Sequence, residues 1–248
     1  MSEDEKWQER THLLLGDEGL VLLKNTKVLI VGLGGVGAYA AEMLCRAGVG
    51  NLHIIDGDVI QESNRNRQLL ALKSTTNQSK SLLMKNRLLD INPNLNITAE
   101  HIFMHSESIQ DLFSQQFDYI VDAIDSLTPK ILLISEALKN KIPIISSMGA
   151  GGKTNPTLVQ IADFSDTYND KLARMLRKKL HKMRISNGFK VVFSSEQTNP
   201  FAVKFVENER NKKTTVGTIS YMPPLFGIYI ASEVIRSIAQ IKDFSYDQ

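Results

Sequence analysis

The chain is predicted to fold as an α/β protein with a mostly parallel sheet and helices on both faces. Three observations carry that prediction. Short β-branched runs alternate with helix-length segments through the first two-thirds of the sequence. A glycine-rich turn, Gly32-Leu33-Gly34-Gly35-Val36-Gly37, joins the first such run to the first helix. An acidic residue, Asp56, closes the next run.

The elements follow in order. Residues 27–32 (KVLIVG) form a strand, and residues 34–47 place Ala, Met, Leu and Cys at helical spacing. Residues 51–56 (NLHIID) make a second strand. Residues 78–90 are helical and stop at Asn92-Pro93, as proline requires. Residues 96–103 are extended, 107–114 form a short helix, 117–125 a strand, 129–140 a helix and 141–147 a strand. Beyond residue 147 the pattern changes. A glycine-rich loop, 149–157, leads to strands at 158–163 and 190–196. Between them, 170–184 is an amphipathic helix with Leu172, Met175, Leu176, Leu180 and Met183 on one face. Residues 207–215 are a charged loop, and a helix runs from 223 to 240 with Pro223 and Pro224 in its first turn. Trp7 is expected to anchor the N-terminal segment. The whole, 1–248, is expected to be one domain: a nucleotide-binding core over 1–147 and a substrate-side extension over 148–248 packed on the same sheet.

Composition narrows the function classes. With 29 basic and 27 acidic residues, the overall charge does not mark a nucleic-acid binder. One cysteine, Cys45, rules out an internal disulfide and any CxxC zinc site. The uncharged stretch 214–232 holds a proline pair and two glycines, so it reads as a buried helix rather than a membrane span. No signal peptide is visible in MSEDEKWQER, and a cytoplasmic location is expected.

The glycine turn is a phosphate-binding geometry. Glycines at Gly34 and Gly35 let backbone N–H groups approach phosphate, and the helix start adds partial positive charge. Asp56 stands where a carboxylate binds ribose hydroxyls in Rossmann-like folds. The motif alone leaves NAD, FAD, S-adenosylmethionine and ATP open. The next stretch favours a triphosphate: Asp58, then Asn64, Arg65, Asn66, Arg67 and Gln68, then Lys80 at a helix start. Asp122-Ala123-Ile124-Asp125-Ser126 ends a strand at the same sheet edge, where its carboxylates could share Mg²⁺ with phosphates.

GLGGVG, Asp56, Asp58, NRNRQ, Lys80 and DAIDS together resemble the adenylating superfamily of ubiquitin-activating enzymes and sulfur-carrier activators, over roughly residues 8–150. The resemblance implies that Asp56, Asn64, Arg67, Lys80 and Asp125 bind MgATP and support attack of a carboxylate on the α-phosphate. It also implies that Asp58, Gln68 and Ala123 line the nucleotide site, that Asp125 is the metal ligand, and that Arg10 reaches a partner subunit's site in a homodimer. A monovalent cation is allowed beside Mg²⁺. No thioester-forming cysteine and no zinc-binding cysteine pairs are present, and Cys45 sits among Ala41, Leu44 and Ala47 as a packed thiol. That departure, with IPIISSMGAGGKTNPT, VVFSSE and GTISYMPPLFGIYIASEVI, is similar to the family of tRNA threonylcarbamoyladenosine dehydratases over most of 117–236. The implied activity is ATP-dependent cyclisation of that nucleoside in tRNA through an acyl-adenylate. The alternative is adenylation of the C-terminal Gly-Gly of a ubiquitin-like sulfur carrier, and a sulfur-relay or desulfurase-type partner is compatible with either.

Lys171, Arg174, Arg177, Lys178, Lys179, Lys182, Arg184 and Lys190 crowd one segment without an acid between them. With a tRNA substrate implied, Arg174, Arg177, Lys178, Lys179, Lys182 and Lys153 become the candidate RNA contacts. Lys153 lies in a near-match to a P-loop (SMGAGGKT), but Ser147 replaces its first glycine and Pro156 interrupts the helix that should follow. His101 and His105 lack a third ligand for a metal. Ser194, Ser195 and Glu196 receive no role from chemistry alone.

Overall fold

The computed structural model describes residues 3–209 and 212–241. Its elements are α1 (Glu9–Asn25), β1 (Lys27–Val31), α2 (Gly37–Ala47), β2 (Asn51–Ile55), α3 (Lys80–Ile91), β3 (Asn96–Glu100), α4 (Ser106–Leu112), β4 (Tyr119–Asp122), α5 (Leu127–Lys139) and β5 (Ile144–Ser147). They continue with β6 (Val159–Asp163), α6 (Lys171–Leu180), β7 (Lys190–Ser194), β8 (Val203–Glu209), β9 (Lys212–Val216) and α7 (Met222–Ile238). Seven strands form one sheet in the order β3-β2-β1-β4-β5-β7-β6, parallel except for β6 against β7. β6 and β7, from the later part of the chain, extend the sheet begun by β1–β5.

Alternation along the strands sends side chains to two cores. Val28 and Ile30 of β1 face a layer of α1, α2, α3 and α7, represented by Leu23, Leu44, Met84 and Phe226. Leu29 and Val31 face α4, α5 and α6, represented by Leu112, Ile134 and Leu176. Because both faces are covered, the strands read as continuous apolar runs.

Four local expectations need correction. Residues 207–215 are not simply a loop: β8 and β9 pair antiparallel as a separate two-stranded sheet, with residues 210 and 211 outside the described set. Threonines and a valine outweigh the lysines in β9, where a charged edge is tolerated. Trp7 is 41% exposed, so it does not bury the N-terminal segment. The buried face of α6 is Ala173, Leu176 and Leu180, while Met175 is exposed; Met183 is past the helix end in a separate 3₁₀ turn and is exposed too. α1 has no counterpart among the predicted elements. It is broken at Gly16, whose φ is 68°, and only Gly19 and Leu23 on it are buried. No helix among the described residues is long and apolar enough to cross a membrane.

Candidate adenylation site

The β1–α2 loop is built by two close backbone approaches. A Cβ on Gly37 would lie 1.8 Å from Gly32 O, and Gly32 itself sits at φ 93° against Ala123 O. These glycines are demanded by the chain's own packing. Gly35 packs under α7, where its Cβ would meet Pro223 Cβ at 2.9 Å. Gly34 is different. Its φ is outside the left-handed region, and a Cβ there would meet nothing nearer than Gln68 Nε2 at 3.7 Å. Nothing in the protein requires glycine at that position.

The acidic and amide groups converge on the same loop. Asp56 accepts from Leu33 N–H at 2.6 Å and from Asp58 N–H at 2.7 Å. Burial pushes its pKa above the ordinary value, against the pull of Lys80 and of these two N–H groups. Asn64 is buried and accepts from Gln61 N–H, fixing the turn that carries Arg67 and Gln68. Gln68 Oε1 is buried without a hydrogen-bond partner among the described residues, next to the space over Gly34. An orphaned acceptor on the side chain that borders this cradle fits a ligand that brings a donor.

Three charged groups complete the edge. Arg67 Nη1 donates to Ser63 O at 3.0 Å and to Asn66 Oδ1 at 2.8 Å. Burial pulls the Arg67 pKa below its usual value, and the charge of Asp125 opposes that pull. Asp125 therefore lies within electrostatic reach of Arg67. Lys80 is 4% exposed at the first position of α3, and its Nζ donates to Asp58 Oδ2 at 2.9 Å. Ala123 follows β4 and backs Gly32. Arg10 is exposed on α1.

Asp122 departs from expectation. It is fully buried, accepting from Lys130 Nζ at 2.6 Å, Ser146 Oγ at 2.6 Å and Ile124 N–H at 3.1 Å. A carboxylate so committed does not ligate a metal; it braces the strand ends. Among the described residues no three His, Cys, Asp or Glu side chains stand together as a metal cage. Mg²⁺ usually needs only one or two carboxylates plus substrate phosphates, so Asp125 fits that smaller demand. His101 and His105 engage local partners, Ser79 Oγ with Asp56 O and Phe103 O respectively.

One candidate RNA contact, Lys153, is corrected, and another, Arg177, is held by partners within the protein. Lys153 is 2% exposed, donating to Ser194 O at 2.6 Å with Asp170 at 3.5 Å. Burial lowers its pKa against the pull of Asp170. Arg177 donates to Thr167 O at 2.8 Å and to Thr167 Oγ1, and its guanidinium lies over Phe164. Lys153 braces the interior, whereas Arg177 is half-buried and borders a surface cleft. Arg174, Lys178, Lys179 and Lys182 remain exposed on one surface, while Lys190 pairs with Glu233 across the strand start. The Ser194-Ser195-Glu196 segment gains a role. Glu196 accepts from Thr154 N–H and Asn155 N–H, both at 2.8 Å, and clamps the glycine-rich loop after β5. Cys45 is fully buried, and burial raises its pKa to about 12.

Comparison with known proteins fits this geometry. The ThiF family model matches residues 8–248. The chain is 41% identical to a tRNA threonylcarbamoyladenosine dehydratase of Bacillus subtilis, over 92% of this chain and 93% of that one. The crystal structure of Escherichia coli tRNA N6-threonylcarbamoyladenosine dehydratase in complex with ATP superimposes with a TM-score of 0.86 at 31% identity, covering 95% of both chains. The AMP complex of that enzyme gives 0.84 at 32% identity, over 94% of this chain and 95% of that one. The chain belongs to the ThiF family, among the tRNA threonylcarbamoyladenosine dehydratases.

Proposed function

We propose that this chain is an ATP-dependent dehydratase that cyclises threonylcarbamoyladenosine in tRNA. The observation that carries the assignment is the cradle over Gly34 bordered by Gln68, with Arg67 and Asp125 in electrostatic reach of each other and the Lys80–Asp58 pair acting on Asp56. Its support is the similarity to dehydratases over nearly the whole chain, including one solved with ATP and another time with AMP. The substrate carboxylate attacks the α-phosphorus and pyrophosphate leaves. The substrate's own carbamoyl group then attacks the activated acyl carbon, losing a proton as the ring closes, and AMP leaves. The net change in the nucleoside is loss of one water.

Each residue has a task in that sequence. The loop over Gly34 and Gly35 approaches the phosphates, Asp56 holds the ribose hydroxyls, and Asn64, Gln68 and Ala123 shape the nucleotide's seat. Arg67 and Lys80 stabilise charge building on the phosphorus. Asp125 would hold Mg²⁺, which neutralises phosphate charge when bound. The nucleophile of the second step is tethered to the acyl group, so proximity replaces an enzyme nucleophile. The buried, high-pKa Cys45 is consistent with that economy.

The assignment includes a cytoplasmic homodimer acting as one adenylating unit over 1–248, with core 1–147 and extension 148–248. Leu13 and Leu14 of α1 are 79% and 77% exposed, one turn from Arg10. A second copy covering this helix would bring Arg10 towards its partner's nucleotide. A sulfur-relay or desulfurase-type partner and a monovalent cation fall within the same proposal. The exposed Arg174, Lys178, Lys179 and Lys182 supply a phosphate-backbone footprint for tRNA. The test is mass spectrometry of nucleosides from modified tRNA incubated with enzyme and ATP. Loss of one water with equimolar AMP is expected; AMP release only with a Gly-Gly carrier protein would overturn the assignment.

A further inference from the structure

Next to the loop that follows β5, the fold leaves a cleft of about 330 Å³ at the start of α6. Tyr168, Asn169, Lys171, Arg174, Arg177, Gln197 and Thr198 line it. Tyr168 is 54% exposed and meets Phe193 edge-to-face at 5.6 Å, so the ring is held from one side. Asn169 sits at φ 55° and donates to Ser195 O at 2.9 Å, which fixes the segment before the helix. Asp170 also borders the cleft, but it is buried. Its carboxylate accepts from Gly149 N–H and Ala173 N–H and faces Lys153.

A ring, two amides, a hydroxyl and three cations are the groups that single-stranded RNA recognition uses. The ring stacks a base, amides meet its edge, and cations meet the phosphate. A protein partner would need an apolar centre, which these residues do not provide. The cleft is also joined to the adenylation site by a short chain of neighbours. Thr198 packs against Gly152, and Gly151 packs against Thr218. Asn66 Nδ2 donates to Thr218 O at 2.9 Å, and Arg67 Nη1 donates to Asn66 Oδ1 at 2.8 Å.

Resting on the function proposed above, we infer that this cleft seats one RNA nucleotide flanking the reacting adenosine, with Tyr168 stacking its base and Gln197 meeting its edge. The site is separate from Lys178, Lys179 and Lys182, which meet the backbone without regard to base. Steady-state dehydration of modified tRNA by the full chain tests it. Tyr168→Ala should raise KM for tRNA roughly tenfold or more, as loss of one stacked base does, with kcat and KM for ATP unchanged. Tyr168→Phe should restore the wild-type value, because stacking needs the ring and not the hydroxyl. Gln197→Ala, at an exposed position that does not threaten folding, should also raise KM for tRNA and alter the preference among tRNAs of different loop sequence. A wild-type KM in both alanine variants overturns the inference while leaving the dehydratase assignment intact. So does an equal rise in Tyr168→Ala and Tyr168→Phe. Failure of the wild-type protein to dehydrate any modified tRNA removes both.

Discussion

Gly34→Ala separates a ligand's demand for glycine from the fold's own. The added methyl would meet no protein atom nearer than 3.7 Å, and φ is not in the left-handed region. Folding should therefore tolerate it, and the lower entropy of the unfolded alanine chain should stabilise the protein by about 0.4–1 kcal/mol. The same methyl projects into the cradle, where a phosphate must approach the backbone. Overpacking of that kind costs about 1–3 kcal/mol, a loss of roughly five- to 150-fold in ATP affinity. Gly37→Ala is the opposite case, since its methyl would fall 1.8 Å from Gly32 O. That variant should lose about 3 kcal/mol or more of stability. Urea unfolding measures the first quantity, and calorimetric titration with ATP the second. Wild-type ATP affinity in Gly34→Ala would refute the placement of the nucleotide.

Arg67→Ala should abolish tRNA-dependent AMP formation without unfolding the chain, because it removes only half-buried bonds to Ser63 O and Asn66; retained activity would refute its role. Lys80→Ala should do the same, with some loss of stability from its buried stem. Replacing Lys178, Lys179 and Lys182 together by Gln should weaken tRNA binding and flatten its salt dependence by about one unit of slope for each phosphate no longer neutralised, with ATP affinity unchanged in titration. Cys45, with its pKa raised to about 12, should resist alkylation at mildly alkaline pH until denaturant is added, and Cys45→Ala should keep full activity. Glu196 has its pKa lowered: burial raises it, but the N–H groups of Asn155 and Thr154 and the Thr154 hydroxyl outweigh that. A depressed carboxylate stabilises above the ordinary glutamate range and loses that contribution as pH falls through its folded value. Proteolysis within 149–157 should therefore rise on acidification, and Glu196→Gln should raise it already at neutral pH.

The parallel sheet is legible in the sequence because its strands are buried on both faces and stand out as apolar β-branched runs between helices. The glycine turn is legible for a related reason: it must occur at a strand end, and that context can be read. What escapes are commitments made across the sequence. Asp122 and Asp125 look equivalent in DAIDS, and only the arrival of Lys130 and Ser146 on one of them tells them apart. Lys153 and Arg177 look like surface cations because their partners, Ser194 O and Thr167 O, are backbone groups that no sequence pattern announces. The same holds for Glu196, whose clamp on Thr154 and Asn155 reaches back 42 and 41 positions. α1 is hidden because Gly16 and Gly19 interrupt its periodicity and its apolar residues are largely exposed.

The last helix has a part in the first loop. Pro223 occupies the space a side chain at Gly35 would need, and Gly227 lets α7 approach Val36 O and Ala40 N of α2. Met222, Phe226, Ile230 and Val234 complete the core that Ala38, Ala41 and Leu44 begin. The glycine turn is thus held by packing against residues from α7. Asn66 donating to Thr218 O adds a polar tie between the same two regions. If the substrate binds against the later half, as proposed, these contacts join its seat to Gly34 and Arg67. A connection of that kind would suit an enzyme that must not hydrolyse ATP before its large substrate is in place.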